Sequence, residues 1–143
     1  MKLYNLFEDI ILEESKKLLT ENVSDQQVMD AIKGKYNVNI LYDDYPNAVP
    51  SVPPSKRYIQ IYNFAETTSG NKAIRAFQIF GGSKTTPKKG AWKIFRLDRI
   101  RYWEPTKMKF TKPVSDLDSN IPKYNQQGDR TMSRVINKVD FNK

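Results

Sequence analysis

Two hydrophobic periods divide this chain. Leu3, Leu6, Phe7, Ile10 and Ile11 recur at helical spacing, Leu18 extends the stripe, and Glu8, Asp9, Glu13 and Glu14 face elsewhere. That pattern predicts an amphipathic helix over residues 2–20. A second, shorter helix is expected from Ser24, with Gln27 three positions on as in a capping box, a stripe of Val28, Ala31 and Ile32, and Gly34 placed to end it. After Gly34 the period falls to two. Tyr36, Val38, Ile40 and Tyr42 alternate with Asn37, Asn39 and Leu41, which predicts a strand.

Residues 43–56 hold four prolines in fourteen positions, a density that excludes a central strand. Three better-marked strands follow at Arg57–Ala65, Lys72–Phe80 and Ala91–Leu97, and Arg101–Trp103 forms a short fourth. Thr67–Asn71 makes the first turn, and Gly81–Gly90 a lysine-bearing loop. Successive antiparallel strands with short connections argue for a small closed or half-closed barrel, filled by its own side chains, with ligands on its outside or rim. Beyond an irregular stretch at 111–128, Met132, Val135, Ile136 and Val139 return to helical spacing, with Asp129 as the candidate N-cap of a C-terminal helix over 129–139. The expected fold is α+β: an N-terminal helical segment (1–34), an antiparallel barrel (35–110), and an irregular segment with its helix (111–143).

Charge alters this picture because it is uneven. The net charge is +8, yet the first 33 residues hold four Lys against seven Asp or Glu. Residues 72–112 hold twelve Lys or Arg against only Asp98 and Glu104. Such a field attracts polyanions, so nucleic acid is the first partner to consider. No Cys and no His occur, which removes thiol nucleophiles, disulfides, Cys/His zinc sites and imidazole catalysis. Asp43-Asp44 and Asp116/Asp118 are not full cation ligand sets. Gly81-Gly82-Ser83-Lys84-Thr85 lacks the spacing of a nucleoside-triphosphate loop. The expectation is therefore no enzyme, no catalytic residue, no metal and no cofactor. With no apolar run of membrane-spanning length and no signal-peptide pattern, the expected location is cytoplasmic.

On a strand, residues two apart share a face. Arg75 lies with Phe77, and Trp92 with Ile94 and Arg96. Cations beside aromatics suit single-stranded nucleic acid, since they neutralise phosphates while rings stack on bases. The candidate ligand contacts are Arg75, Gln78, Lys84, Lys88, Lys89, Trp92, Lys93, Arg96 and Arg99. Phe77, Ile79, Phe95, Leu97 and Ile100 are expected in the core. The structural alternative for Arg75 and Arg96 is to tie Asp98 or a barrel carbonyl in place.

GNKAIRAFQIFGG at 70–82 and GAWKIFRLDRI at 90–100 together resemble the second half of a WYL domain. The residues that carry the resemblance are Arg75, Phe95, Arg96, Leu97, Arg99 and Ile100. The Trp-Tyr-Leu triplet is absent, with Gln78-Ile79-Phe80 in the corresponding area, and an acidic helix pair stands where bacterial WYL regulators carry a basic winged helix. The resemblance implies an SH3-like or Sm-like barrel and a regulatory module sensing single-stranded nucleic acid or a nucleotide. Tyr124-Asn125 and the Asp129-Arg130-x-Met132-x-x-Val135 pattern are similar to short tailed-phage WYL-like proteins. That likeness implies a host-cytoplasmic protein, or alternatively a virion or host-interaction component whose terminal helices dock on protein partners.

Overall fold

The computed structural model describes residues 23–81, 90–123, 125 and 127–142. The helix expected over 2–20, and Lys84, Lys88 and Lys89, lie outside the described residues. No helix among the described residues is long and apolar enough to cross a membrane.

Helix α1 (Asp25–Gly34) starts at the expected capping box. Ser24 Oγ accepts from the Gln27 amide at 3.1 Å, and the Gln27 side chain accepts from the Ser24 amide at 2.9 Å. Two amides that the helix leaves without partners are thereby satisfied. Its end differs from expectation. The left-handed cap residue is Lys35 (φ 54°), whose amide reaches the carbonyls of Ala31 and Ile32. Gly34 instead makes room: a Cβ there would sit 2.1 Å from the Tyr36 ring.

Six strands form one antiparallel sheet: β1 (Tyr36–Tyr42), β2 (Ser55–Thr67), β3 (Lys72–Gly81), β4 (Ala91–Arg96), β5 (Ile100–Lys109) and β6 (Met132–Lys138). The order is β4-β3-β2-β1-β5, with β6 also on β2. A 3-10 turn, Leu97–Arg99, joins β4 to β5, and one helical turn, α2 (Val114–Leu117), follows β5. Strand β2 is long enough to serve two neighbours on one edge. Ser55–Gln60 pairs with β1 and Asn63–Thr67 with β6, while β3 runs along the other edge. The switch occurs at Tyr62, where the β2–β3 register shifts between Ile61 and Asn63.

Two expectations are corrected. The sheet does not close into a barrel. Strand β4 meets the end of β1 through side chains, with the Tyr42 and Phe95 rings edge to face at 4.8 Å and the Arg96 amide donating to Tyr42 Oη at 3.0 Å. Ladder closure requires the outer strands to exchange backbone hydrogen bonds, whereas β4 gives way to a 3-10 turn after six residues. The second correction is that residues 132–138 form strand β6, not a helix. Met132, Val135 and Ile136 fit either period, and the edge of β2 at 63–67 supplies a ladder that outweighs local spacing. Asp129 caps no helix; its Oδ1 accepts from the Thr131 amide at 2.9 Å.

The inner face carries the main core: Val38, Ile40, Ile59, Ile61, Phe64, Ile74 and Phe95, in one cluster with Val28, Ala31 and Ile32 of α1. Burying side chains of this size contributes about 1.5–3 kcal/mol each. Arg57 is buried among them, 3% exposed. It donates to Ser55 Oγ, to Gln78 Oε1 at 2.8 Å and to the Asp44 carboxylate, and lies 5.9 Å from both the Tyr42 and Phe95 rings. A second aromatic layer sits on the outer face. There the Tyr62 ring meets Trp92 (4.7 Å), Phe110 (5.2 Å) and Phe141 (5.9 Å).

Candidate nucleic-acid interface

Cross-strand partners lie on the same face of a sheet. Register therefore places the predicted residues. Arg75 pairs with Ile94, Phe77 with Trp92 and Ala73 with Arg96. Arg75, Trp92 and Arg96 accordingly share the outer face, brought together from two strands. Gln78 and Lys93 have the opposite parity. Gln78 is fully buried and accepts from Arg57 inside the fold, so it presents no surface to a ligand. Lys93 pairs with Ala76. Arg99 sits half-buried in the 3-10 turn, where its carbonyl accepts from the Asp43 amide at 2.9 Å.

Half of the outer face is covered by the chain that follows β5. The Trp92 indole donates from Nε1 to the Pro122 carbonyl at 3.0 Å, and the Val114 amide donates to Tyr62 Oη at 3.0 Å. Burial pushes the Tyr62 phenol up to about 12, against the opposing pull of that amide. Arg75 Nη2 meets the Asp129 carboxylate at 2.5 Å, and Thr131 Oγ1 lies at 3.4 Å. Burial raises the Asp129 carboxyl, but the Thr131 hydroxyl and amide and the Arg75 charge outweigh it and hold the group below the usual carboxylate range. Arg75 Nε is buried with no acceptor among the described residues.

A cavity of about 260 Å³ remains under this cover, lined by Asn63, Arg75, Trp92, Lys123, Asn125, Gly128 and Asp129. It offers a guanidinium, an ammonium, an indole wall and two amides. Gly128 shapes its rim at φ 87°; a Cβ there would lie 2.9 Å from both Met132 Sδ and Val135 Cγ2. In sequence Lys123, Asn125 and Gly128 belong to the irregular stretch at 111–128 and Asp129 to a helix N-cap; pairing of β6 with β2 brings them to Arg75.

Arg96 takes the structural role weighed for it. Its guanidinium is bidentate on Asp98, with contacts of 3.0 and 2.6 Å. That hydrogen bond raises the arginine and lowers the Asp98 carboxyl.

Among the described residues, the segment after β5 leaves the rest of the outer face half-buried to exposed. One line across the sheet runs Glu104, Asn39, Tyr58, Phe80, and the next runs Tyr102, Leu41, Lys56. Tyr58 and Phe80 stack at 5.0 Å with 26° between their planes, and Phe80 is 62% exposed. A bulge produces this: Ile59 faces Gln78 and Tyr58 faces Phe80, so Ile79 is the extra residue. Strict alternation along β3 groups Phe80 with Gln78, which the structure buries. Comparison with protein-family models, curated proteins and solved structures finds no match for this chain.

Proposed function

We propose that this chain is a non-enzymatic, regulatory module that binds single-stranded nucleic acid or a nucleotide-type ligand, anchored in the Arg75–Trp92 cavity. The observation that carries the reading is the composition of that cavity. A guanidinium with one buried N–H lacking an acceptor among the described residues, an ammonium, an indole and two amides match a phosphate joined to a base. Its volume is at the small end of ligand pockets, which suits one nucleotide unit rather than an extended cofactor. The charge concentrated at 72–112 supplies the long-range attraction. The WYL-like stretch at 70–100 points to the same ligand class. The strand order and the 3-10 turn before β5 support an opened-out SH3-like architecture.

Fluorescence anisotropy with labelled ssDNA, ssRNA and dsDNA across a salt series tests this. Micromolar or tighter binding to one of the single strands at ~0.15 M salt is expected, with a log–log slope of about −0.7 per phosphate contact. Weak binding, equal for all three probes and gone by moderate salt, overturns it.

One observation favours a second reading, a phage assembly or host-interaction adaptor. Arg57, Arg75, Arg96, Arg101 and Arg134 each face a carboxylate of the fold itself, which reduces the charge offered to phosphates. That reading requires a stoichiometric protein complex that survives high salt.

A further inference from the structure

The rest of the outer face raises a separate question: why a sheet that covers Trp92 leaves Phe80 in water. Pairing alone does not answer it. A cross-strand aromatic pair contributes about 0.2–1 kcal/mol, which accounts for Phe80 touching Tyr58. It does not account for the 62% of Phe80 that stays exposed. The bulge at Ile79 is what turns the ring outward; without it, strict alternation from Gln78 would bury the residue.

The pair is also held rigidly. Tyr58 Oη accepts from Asn37 Nδ2 at 3.0 Å. The strand continues into Gly81, where a Cβ would sit 2.7 Å from Arg57 Cδ and 2.8 Å from the Lys56 carbonyl. The backbone under Phe80 is thus pressed against the Arg57 that Gln78 and Asp44 clamp from within. A preorganised ring binds a flat partner without a further ordering cost.

The chemistry around the pair selects the partner. Lys56 and Tyr102 flank Leu41 in the next line of the sheet, and the Asn39 amide adjoins Tyr58. Glu104 marks the limit of the patch on β5, where Asn39 Nδ2 and Tyr102 Oη both donate to its carboxylate, at 3.2 and 2.8 Å. Away from that edge the patch combines exposed π surface with a cation. Such a combination fits bases stacked on the rings and a phosphate backbone near Lys56.

We infer that Tyr58 and Phe80 form a base-stacking platform for single-stranded nucleic acid, a site distinct from the Arg75–Trp92 cavity. The inference rests on the proposed function and extends it from one nucleotide unit to a strand. Row order places the platform next to the Phe77–Trp92 line on the same face, so one strand can engage both.

The test uses the full chain, a fluorescein-labelled oligothymidylate and a labelled thymidine mononucleotide at ~0.15 M salt. Phe80→Ala is expected to weaken oligonucleotide binding about tenfold with an unchanged salt slope, because a stacked base contributes no phosphate contact. Mononucleotide binding stays at the wild-type level. Phe80→Trp is expected to keep oligonucleotide affinity and to show indole quenching on binding beyond that of the wild type. Arg75→Ala serves as the contrast, weakening both probes. Wild-type oligonucleotide affinity in Phe80→Ala, with Arg75→Ala still impaired, overturns the platform and leaves the cavity reading intact. No binding by the wild type of either probe, or of the matching oligouridylate and uridine mononucleotide, overturns both. Self-association lost in Phe80→Ala, with oligonucleotide binding unchanged, reassigns the patch to a protein contact and overturns the platform.

Discussion

Asp129 reaches back over the outer face to Arg75, fifty-four positions earlier in the chain, and the ion pair fastens the segment after β5 onto the sheet. Arg75 has a side chain 19% exposed and Asp129 one 40% exposed, so the pair lies between a surface and a buried bridge. Asp129→Asn should therefore destabilise the fold by about 1–2 kcal/mol. The sign of its pH dependence follows from the depressed carboxyl of Asp129. A carboxylate held below its unfolded value contributes fully above that value, about 3.9, and loses its contribution as pH falls through the folded one. The stability gap between wild type and Asp129→Asn, read from urea midpoints, should be constant near neutrality and shrink below about pH 4. A gap that persists unchanged in acid would show that the charge of Asp129 is not what matters.

The proposed function predicts the opposite effect of the same substitution on ligand. If Arg75 binds a phosphate, Asp129 competes with it. Asp129→Asn should bind labelled single strands several-fold more tightly than wild type at equal salt, while Asp129→Asn combined with Arg75→Ala loses that gain. Equal affinity in wild type and Asp129→Asn would argue that Arg75 is purely structural.

Local alternation located β1 to β4 closely, because period two is a local property of the strand. What escaped the sequence was set by partners remote in the chain. Residues 132–138 fit a helix until the edge of β2 at 63–67 is known to need a neighbour. Gln78 reads as an exposed amide until Arg57, from the adjacent strand, is found donating to it in the core. Phe80 and Gln78 group together by alternation, and one bulged residue, Ile79, puts them on opposite faces. Among the candidate residues, alternation grouped Arg75 with Phe77 and Trp92 with Arg96, and only the β3–β4 register brings Arg75 and Trp92 to one cavity. Their cover has no local motif, since Pro122 and Asp129 come from a distant part of the chain.

Gly34 and Lys35 exchange the roles expected of a helix end, and two substitutions separate them. Lys35 occupies the left-handed region at φ 54°, where glycine is easier, so Lys35→Gly should stabilise by up to about 1 kcal/mol. Gly34 has ordinary helical φ, and propensity alone would favour alanine there by about 1 kcal/mol. The Tyr36 ring in the space of its Cβ reverses that expectation: Gly34→Ala should destabilise. Thermal midpoints moving in these opposite directions would confirm the assignment, and a stabilised Gly34→Ala would refute it.

Tyr62 is the hinge between the two layers, with its ring under the C-terminal aromatics and its hydroxyl accepting from Val114. Burial raises its phenol to about 12. A raised folded value means that its contribution is intact below the unfolded value of about 10 and is lost as pH rises from there through the folded one. Unfolding midpoints should fall across that alkaline window, and tyrosinate absorbance from this residue should appear together with unfolding. Tyr62→Phe keeps the ring contacts while removing the ionisable group and the acceptor for Val114. It should lower stability at neutral pH by about 1–2 kcal/mol and flatten the alkaline decline. The same decline in Tyr62→Phe as in wild type would place the alkaline sensitivity elsewhere.

Arg57 offers the sharpest check on how the inner face is held. Its charge lies in the core against Asp44 and Gln78, with Ser55 on Nε. Removing Arg57 leaves Gln78 buried without its donor, whereas the Asp44 carboxylate, 38% exposed, turns to water. Arg57→Ala should lose about 2–5 kcal/mol, enough to unfold a marginal domain, because a buried side chain is truncated, Gln78 is left unpaired and the Tyr42–Phe95 contact loses its support. Arg57→Met combined with Asp44→Ala and Gln78→Leu removes the polar group together and fills the space with apolar atoms. This triple variant should recover much of the loss, since well-packed hydrophobic replacements of buried ion pairs are often neutral or stabilising. Mononucleotide affinity in the refolded triple variant should match wild type, because neither Gln78 nor Arg57 lines the Arg75–Trp92 cavity. Lost binding in a variant of wild-type stability would instead return Gln78 to the site.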